Sequence, residues 1–259
     1  MIKLLREWRR RRAIEKIRVA EEVWQRVEAL LPFLDRLARP DRLRLREMAR
    51  EFVASKEWNG ARGLSLTPEL QLSIALQACL PVLNLGLDWY RGWVGLVVYP
   101  GDFVIPRQTM DETGVVHEYD DEVLGEAWEG GPVLISWFDK REEAAGVNVV
   151  IHEFAHKLDM TNGAVDGLPA LHESMSRREW IATFETAYEN FCRRVDRGEE
   201  TRIDPYAAET PAEFFAVTSE AFFETPEILF HEYPAVYEQL SAFYRQAPRN
   251  ADDGKCTSR

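Results

Sequence analysis

The pentapeptide His152-Glu153-Phe154-Ala155-His156 places two imidazoles and a carboxylate within one turn of helix. At ~3.6 residues per turn, positions i and i+4 share a face, so both rings can reach one tetrahedral ion. Glu153 is rotated to the side of that pair, where a carboxylate meets a water rather than a metal. Residue types in this order serve hydrolysis by a metal-activated water. The chain has only five histidines, so finding two of them at this spacing carries information.

The flanking residues point the same way. Val149, Val150, Ile151 and Leu158 are apolar, whereas Asn148, His152, His156 and Asp159 form a polar stripe along the same helix. Such a helix is expected to be buried, and its stripe then needs partners, which a metal and hydrogen-bonding neighbours supply. Asp159 is spaced to hold the His156 imidazole or another ligand. The competing reading bonds the two histidines to each other and to core carbonyls, with Asp159 capping the helix before Thr161-Asn162-Gly163.

A catalytic zinc takes three protein ligands and leaves one position for water. The extended His-x-x-Gly-x-x-His form is absent, because Asp159 stands at the glycine position and Asn162 at the third histidine. Glu173 and Glu179, about twenty residues downstream, fit another known spacing, and His172 is a weaker candidate read as a surface helix residue. Farther on, Pro211 opens a helix that Phe214, Phe215, Val217, Ala221, Phe222 and Phe223 make apolar almost all round. Glu213 in its first turn fits two roles on spacing alone. It is either the third ligand or the reciprocal half of a capping box with Thr210. Glu220 is a lesser ligand candidate.

The elements that must position these residues are read from periodicity. Helical spacing dominates the first 85 residues, through Ile17, Val23, Val27, Leu30, Leu31 and Leu34, and Pro40 is taken as a break. A second helix is predicted from about 42 to 55, and a third from Thr67-Pro68-Glu69 towards Leu83. Residues 93–99 and 132–137 read as strands. The second is either an edge strand able to pair with extended substrate or an ordinary core strand. The acidic stretch 111–126 reads as irregular, with His117 in an exposed loop or part of a cover over the site. The predicted organisation is a helical region over 1–90, a catalytic region over 91–247 and a disordered tail over 248–259.

Composition excludes several classes. Residues 1–20 hold eight Lys/Arg against Glu7 and Glu15, so a net charge of −12 overall leaves −18 on the rest, which argues against direct nucleic-acid binding. The run Arg9-Arg10-Arg11-Arg12 reads as a solvated helix face. Cys79, Cys192 and Cys256 are odd in number and far apart, as expected of free thiols in a reducing compartment. With neither a signal peptide nor a transmembrane run in sight, the expected location is cytoplasmic.

His-Glu-Phe-Ala-His-Lys-Leu-Asp at 152–159, Tyr-Ala-Ala at 206–208 and Pro-Ala-Glu-Phe-Phe-Ala-Val at 211–217 resemble the Mlc titration factor A family of bacterial zinc metallopeptidases. The likeness extends to Val98-Tyr99-Pro100 and spans most of residues 15–245. It does not cover the arginine run or the polar carboxy-terminal tail. The resemblance implies an α+β, predominantly helical protein with a zincin-like metallopeptidase core and a small β-sheet. It also implies one Zn2+ held by His152, His156 and Glu213, with Glu153 as base and Tyr206 in the active site. A tyrosine seven residues before a ligand glutamate is similarly placed in the catalytic domain of anthrax lethal factor, which favours Glu213 over Glu173 and Glu179. Expected partners are a peptide or protein substrate, handled in an aminopeptidase-like way, and an Mlc-like transcriptional repressor through which sugar-transport genes are regulated. The rival reading is a regulatory binding protein whose zinc site is vestigial or structural.

Overall fold

A computed structural model of the chain describes residues 17–101, 103–110, 116–123, 125–128, 130–137 and 148–249. The arginine run, Cys256 and residues 250–259 of the expected tail lie outside these residues. Helices dominate, and the described strands form a four-stranded mixed sheet and a separate two-stranded ribbon. The architecture is thus α+β and predominantly helical.

The chain opens with α1 (Glu21–Glu28) and a 3-10 turn at Pro32–Arg36. Next comes α2 (Arg39–Ser55), which starts earlier than the predicted helix because Pro40 sits in its first turn instead of breaking it. Proline is well placed there, since the amide it lacks has no intrahelical partner and its fixed φ already suits a helix. α3 (Pro68–Cys79) is capped by the Thr67 hydroxyl, which accepts from the Leu70 amide, and it ends well short of Leu83.

β1 (Glu57–Gly60), β2 (Gly95–Pro100), β5 (Gly125–Ala127) and β6 (Val133–Trp137) make the sheet, in the order β1-β2-β6-β5. The first two pairs are parallel, and β5 runs antiparallel to β6. One edge strand therefore comes from the segment before residue 90. The strand expected at 132–137 is β6, an interior strand, so the core-strand reading holds and the edge-strand reading does not. The edge on the side of the histidine helix is β5.

The stretch expected to be irregular is also corrected at 116–123 and 125–126, which are strand, while 111–115 and 124 lie outside the described residues. β3 (Phe103–Met110) pairs antiparallel with β4 (Val116–Val123), placing His117 in a strand opposite Thr109. An acidic run such as Glu118, Asp120, Asp121 and Glu122 hides the strand signal, because these residues have poor strand propensity and the strand forms through its backbone ladder with β3.

The second half is helical: α4 (Val149–Asp159), α5 (Arg177–Asp196), α6 (Pro211–Glu224), α7 (Pro226–Glu232) and α8 (Pro234–Tyr244). α4 lies in the middle of the core. Its Phe154 ring is fully buried, 5.5 Å from Phe52 of α2 and 5.0 Å from Tyr90. Burying a phenylalanine is worth roughly 1.5–3 kcal/mol, and edge-on ring pairs add to that. The histidine helix is thus fixed by packing against the amino-terminal helices and not by its own propensity. Among the described residues, no helix is long and apolar enough to cross a membrane.

Candidate metal centre

α4 begins at Asn148, which is buried and fully engaged. Its Oδ1 accepts from the Ile151 amide, and its Nδ2 donates to Gln77 Oε1 at 2.9 Å and Glu224 Oε1 at 2.7 Å. This cap fixes where the helix starts and therefore the direction in which His152 points, one turn later. On α6 the Thr210 hydroxyl accepts from the Glu213 amide at 3.1 Å, the first half of the predicted capping box. The Glu213 carboxylate, however, is turned to the histidines and not back to the Thr210 amide, so the reciprocal half of the capping box gives way to the ligand position.

His152 Nε2 lies 2.9 Å from Glu213 Oε2, His156 Nε2 lies 3.4 Å from the same oxygen, and the two ring nitrogens are 3.1 Å apart. Around a tetrahedral zinc with bonds of ~2.0–2.1 Å, neighbouring ligand atoms stand about 3.3 Å apart, so the three donors fit a zinc with shifts of a few tenths of an ångström. Three atoms that present lone pairs to one point repel one another unless a cation or proton lies among them. Within the described residues, this trio is the only group of three His, Cys, Asp or Glu whose ligand atoms are close enough to share a metal.

The next layer fixes the donors. Glu220 is seven residues after Glu213 and on the same face of α6. Its Oε1 accepts from His152 Nδ1 at 2.7 Å, and its Oε2 accepts from the Asn148 amide. With Nδ1 donating, His152 is left with its Nε2 lone pair facing the trio. Burial works against a charged His152, but Glu213 and Glu220 outweigh it and hold its pKa well above the ordinary value. Burial likewise pushes Glu213 up, and the two histidines overcome it, holding the carboxyl at about 2. An anionic Glu213 and a His152 ring that strongly favours a cation at Nε2 suit a metal site.

Glu153 is buried beside the trio, not in it. Burial raises its pKa to about 8, opposed by His152 and reinforced by the charges of Glu213, Glu220 and Glu126. Its carboxylate packs directly on Gly125 at the start of β5, where any Cβ would collide with it. A Cβ at 125 would force the Glu153 side chain to shift, so glycine there lets the edge strand approach it closely.

Tyr206 lies in a 3-10 turn, Pro205–Ala208, whose start is capped by Asp204 Oδ1 accepting from the Tyr206 amide at 2.9 Å. Its ring centroid is 6.0 Å from that of His152, and the residue is 52% exposed, so it lines the mouth of the site and is not a core tyrosine. The turn is tied to α5 by Tyr188, whose hydroxyl donates to the Ala208 carbonyl at 3.1 Å.

Other sequence candidates lie elsewhere. Glu173 and Glu179 are exposed, and Glu179 is in the first turn of α5. His172 is in the loop before α5, not on a surface helix. Its ring stacks edge-on to Trp89, and its Nε2 contacts the Phe243 carbonyl at 2.8 Å. Among the described residues, His156 Nδ1 and Asp159 Oδ1 are both buried without a hydrogen bond, so Asp159 does not hold that imidazole. Its Oδ2 accepts from the Gly167 amide at 2.8 Å, and burial raises its pKa to about 6. Gly167, at φ +79°, also packs on the Pro211 carbonyl and accepts from Trp180 Nε1 at 3.0 Å. Asp159 thus braces the loop that supports the start of α6, and so acts on Glu213 indirectly.

Sequence reasoning missed what Glu220 and Lys157 do. Glu220 was weighed only as a ligand, although its seven-residue spacing from Glu213 puts both on one helix face. Lys157, four residues after Glu153, is buried, and its Nζ donates to the carbonyls of Trp128 and Gly131.

The family model of the glucose-regulated metallo-peptidase M90 matches residues 5–245. Mlc titration factor A of Klebsiella pneumoniae subsp. pneumoniae is 38% identical over 237 residues, covering 88% of this chain and 88% of the relative. Mlc titration factor A of Yersinia pestis (strain Pestoides F) is 38% identical over 235 residues, covering 88% and 87%.

Proposed function

Since the chain belongs to the glucose-regulated metallo-peptidase M90 family, we propose that it is a zinc-dependent peptidase of the cytoplasm with a zincin-like core. His152, His156 and Glu213 hold one Zn2+, Glu153 is the catalytic base and Tyr206 the oxyanion donor. The observation that carries this reading is the meeting of the three ligand atoms within 2.9–3.4 Å of one another, with a buried carboxylate beside them that is not part of the trio. A purely structural site has no use for that carboxylate and fills its fourth position with protein.

When bound, zinc supplies Lewis acidity, which polarises a carbonyl and brings the pKa of water to about 7. Glu153 takes one proton from the attacking water as its oxygen bonds to the scissile carbon. The carboxyl then holds this proton and passes it to the departing nitrogen as the C–N bond breaks. A raised pKa suits a group that must keep a proton between those events. Extended substrate is positioned by pairing with the outer edge of β5, which lies against Glu153. Action on the amino-terminal residue of small peptides, as in an aminopeptidase, is the form of the reaction we favour. Protein stripped of metal should lose turnover of aminoacyl anilides and regain it with zinc; equal rates with and without metal refute the reading.

Two variants probe supporting groups. Tyr206→Phe removes the phenolic donor without disturbing the core, because the side chain is half exposed. Its kcat should fall ~100- to ~1000-fold with KM changed little, since the bond forms chiefly in the transition state. An unchanged kcat removes Tyr206 from the mechanism. Glu220→Gln should keep the fold but weaken zinc affinity ~10- to ~100-fold in a competitive chelator titration, because the His152 ring loses its anionic partner. Unaltered affinity would mean that packing alone orients the ring.

The relatives' name carries a second role. Mlc titration factor A is named for acting on Mlc, and we extend to this chain the binding of an Mlc-like repressor, with sugar-transport genes as the regulated output.

A further inference from the structure

The turn joining β5 to β6 is held from beneath by a residue with no part in the chemistry. Lys157 is 5% exposed, and its ammonium donates to the carbonyls of Trp128 and Gly131, the latter at 2.9 Å. Its Nζ is 5.0 Å from the centroid of the Trp93 ring, a cation–π contact on its remaining side. The turn's own bonds are Gly131 amide to Trp128 carbonyl at 3.0 Å and Trp128 amide to Pro132 carbonyl at 3.2 Å, so the Trp128 carbonyl accepts from both the turn and the ammonium.

β5 has three residues, paired with β6 as Gly125 with Ile135, Glu126 with Leu134 and Ala127 with Val133. A strand that short is held weakly by its ladder. Glu153 and Lys157 are four apart on α4 and so share a face. The first packs on Gly125 at one end of β5, and the second holds the turn at the other. One helix face thus grips the hairpin at both ends.

We propose that Lys157 is a positioning residue that sets the height and register of β5 against Glu153, and with them the binding of extended peptide. This rests on the peptidase reading above, in which β5 pairs with substrate. The contribution of Lys157 grows with the length of main chain lying along β5. It is small for an aminoacyl anilide, which has one residue, and large for a hexapeptide.

The test uses the full, zinc-loaded chain and Lys157→Met, which keeps the apolar stem and removes the ammonium. Amide exchange of residues 125–131 should quicken ~10-fold or more with α4 unchanged, as expected when a buried charged donor to two carbonyls is lost. KM for a hexapeptide should rise ~10-fold, more than its kcat falls and more than any change with the anilide. Lys157→Arg, which can still donate to both carbonyls, should restore most of the peptide KM. Unchanged exchange overturns the proposal, as does an equal loss on both substrates. Should the methionine variant not fold, Lys157→Gln is read in the same way, and failure of both to fold assigns Lys157 to stability and overturns the proposal. A zinc-loaded wild type that turns over neither substrate overturns the peptidase reading instead, a result distinct from the exchange measurement.

Discussion

Glu153→Gln is expected to keep a full complement of zinc and lose turnover by ~100- to ~10,000-fold, the range lost with a general base. Glutamine has nearly the shape of glutamate, so the close contact with Gly125 is preserved, but an amide cannot take a proton from water. The three donor atoms on His152, His156 and Glu213 are untouched, so metal analysis should give the wild-type ratio. The same variant separates the two proposed roles. If the chain also binds an Mlc-like repressor, repressor binding measured by calorimetry should survive the substitution. Near-normal turnover by purified Glu153→Gln would sink the mechanism, and zinc lost together with activity would show that Glu153 supports the site in some other way.

The histidine helix was legible because its chemistry is local. Positions 148, 152, 156 and 159 share one face at helical spacing, and a single helix carries that pattern whatever packs around it. Glu213 was legible as a candidate but ambiguous, because an N3 glutamate behind Thr210 looks the same whether its carboxylate turns back to the cap or outward to a metal. Only the packing of α6 on α4 distinguishes these, and that depends on Phe214, Phe215 and Phe222 finding their places in the core.

The sheet was less legible, for a physical reason. β1 is four residues, Glu-Trp-Asn-Gly, and β5 is three, Gly-Glu-Ala. Neither has an alternation long enough to register, and both exist because a longer neighbour, β2 or β6, offers a ladder to join. Their strand character is a tertiary effect, and so is the role of β5 as the edge nearest Glu153. Lys157 was hidden for a related reason. A lysine after a histidine on a helix reads as a solvated charge, and nothing in the sequence shows that the carbonyls of a turn thirty residues earlier are there to receive it.

Glu213→Gln tests the assignment on which the rest of the site depends. Its amide still donates to Thr210 Oγ1, so the first turn of α6 and the fold should be retained. The side chain, however, changes from an anion held at a pKa of about 2 to a neutral amide, a poor ligand for a dication. Zinc affinity should fall by more than the ~10- to ~100-fold typical of an outer hydrogen-bond partner, and turnover should vanish at ordinary metal concentrations. Raising free zinc should recover part of the rate, which separates a weakened site from a misfolded protein. Glu173→Gln and Glu179→Gln are the matched controls. Both residues are exposed and away from the trio, so zinc content, rate and melting temperature should stay near the wild-type values. A Glu213→Gln protein that keeps its zinc and most of its rate would leave Glu213 as a capping residue. Loss of zinc in either control would instead move the third ligand to the segment before or at the start of α5.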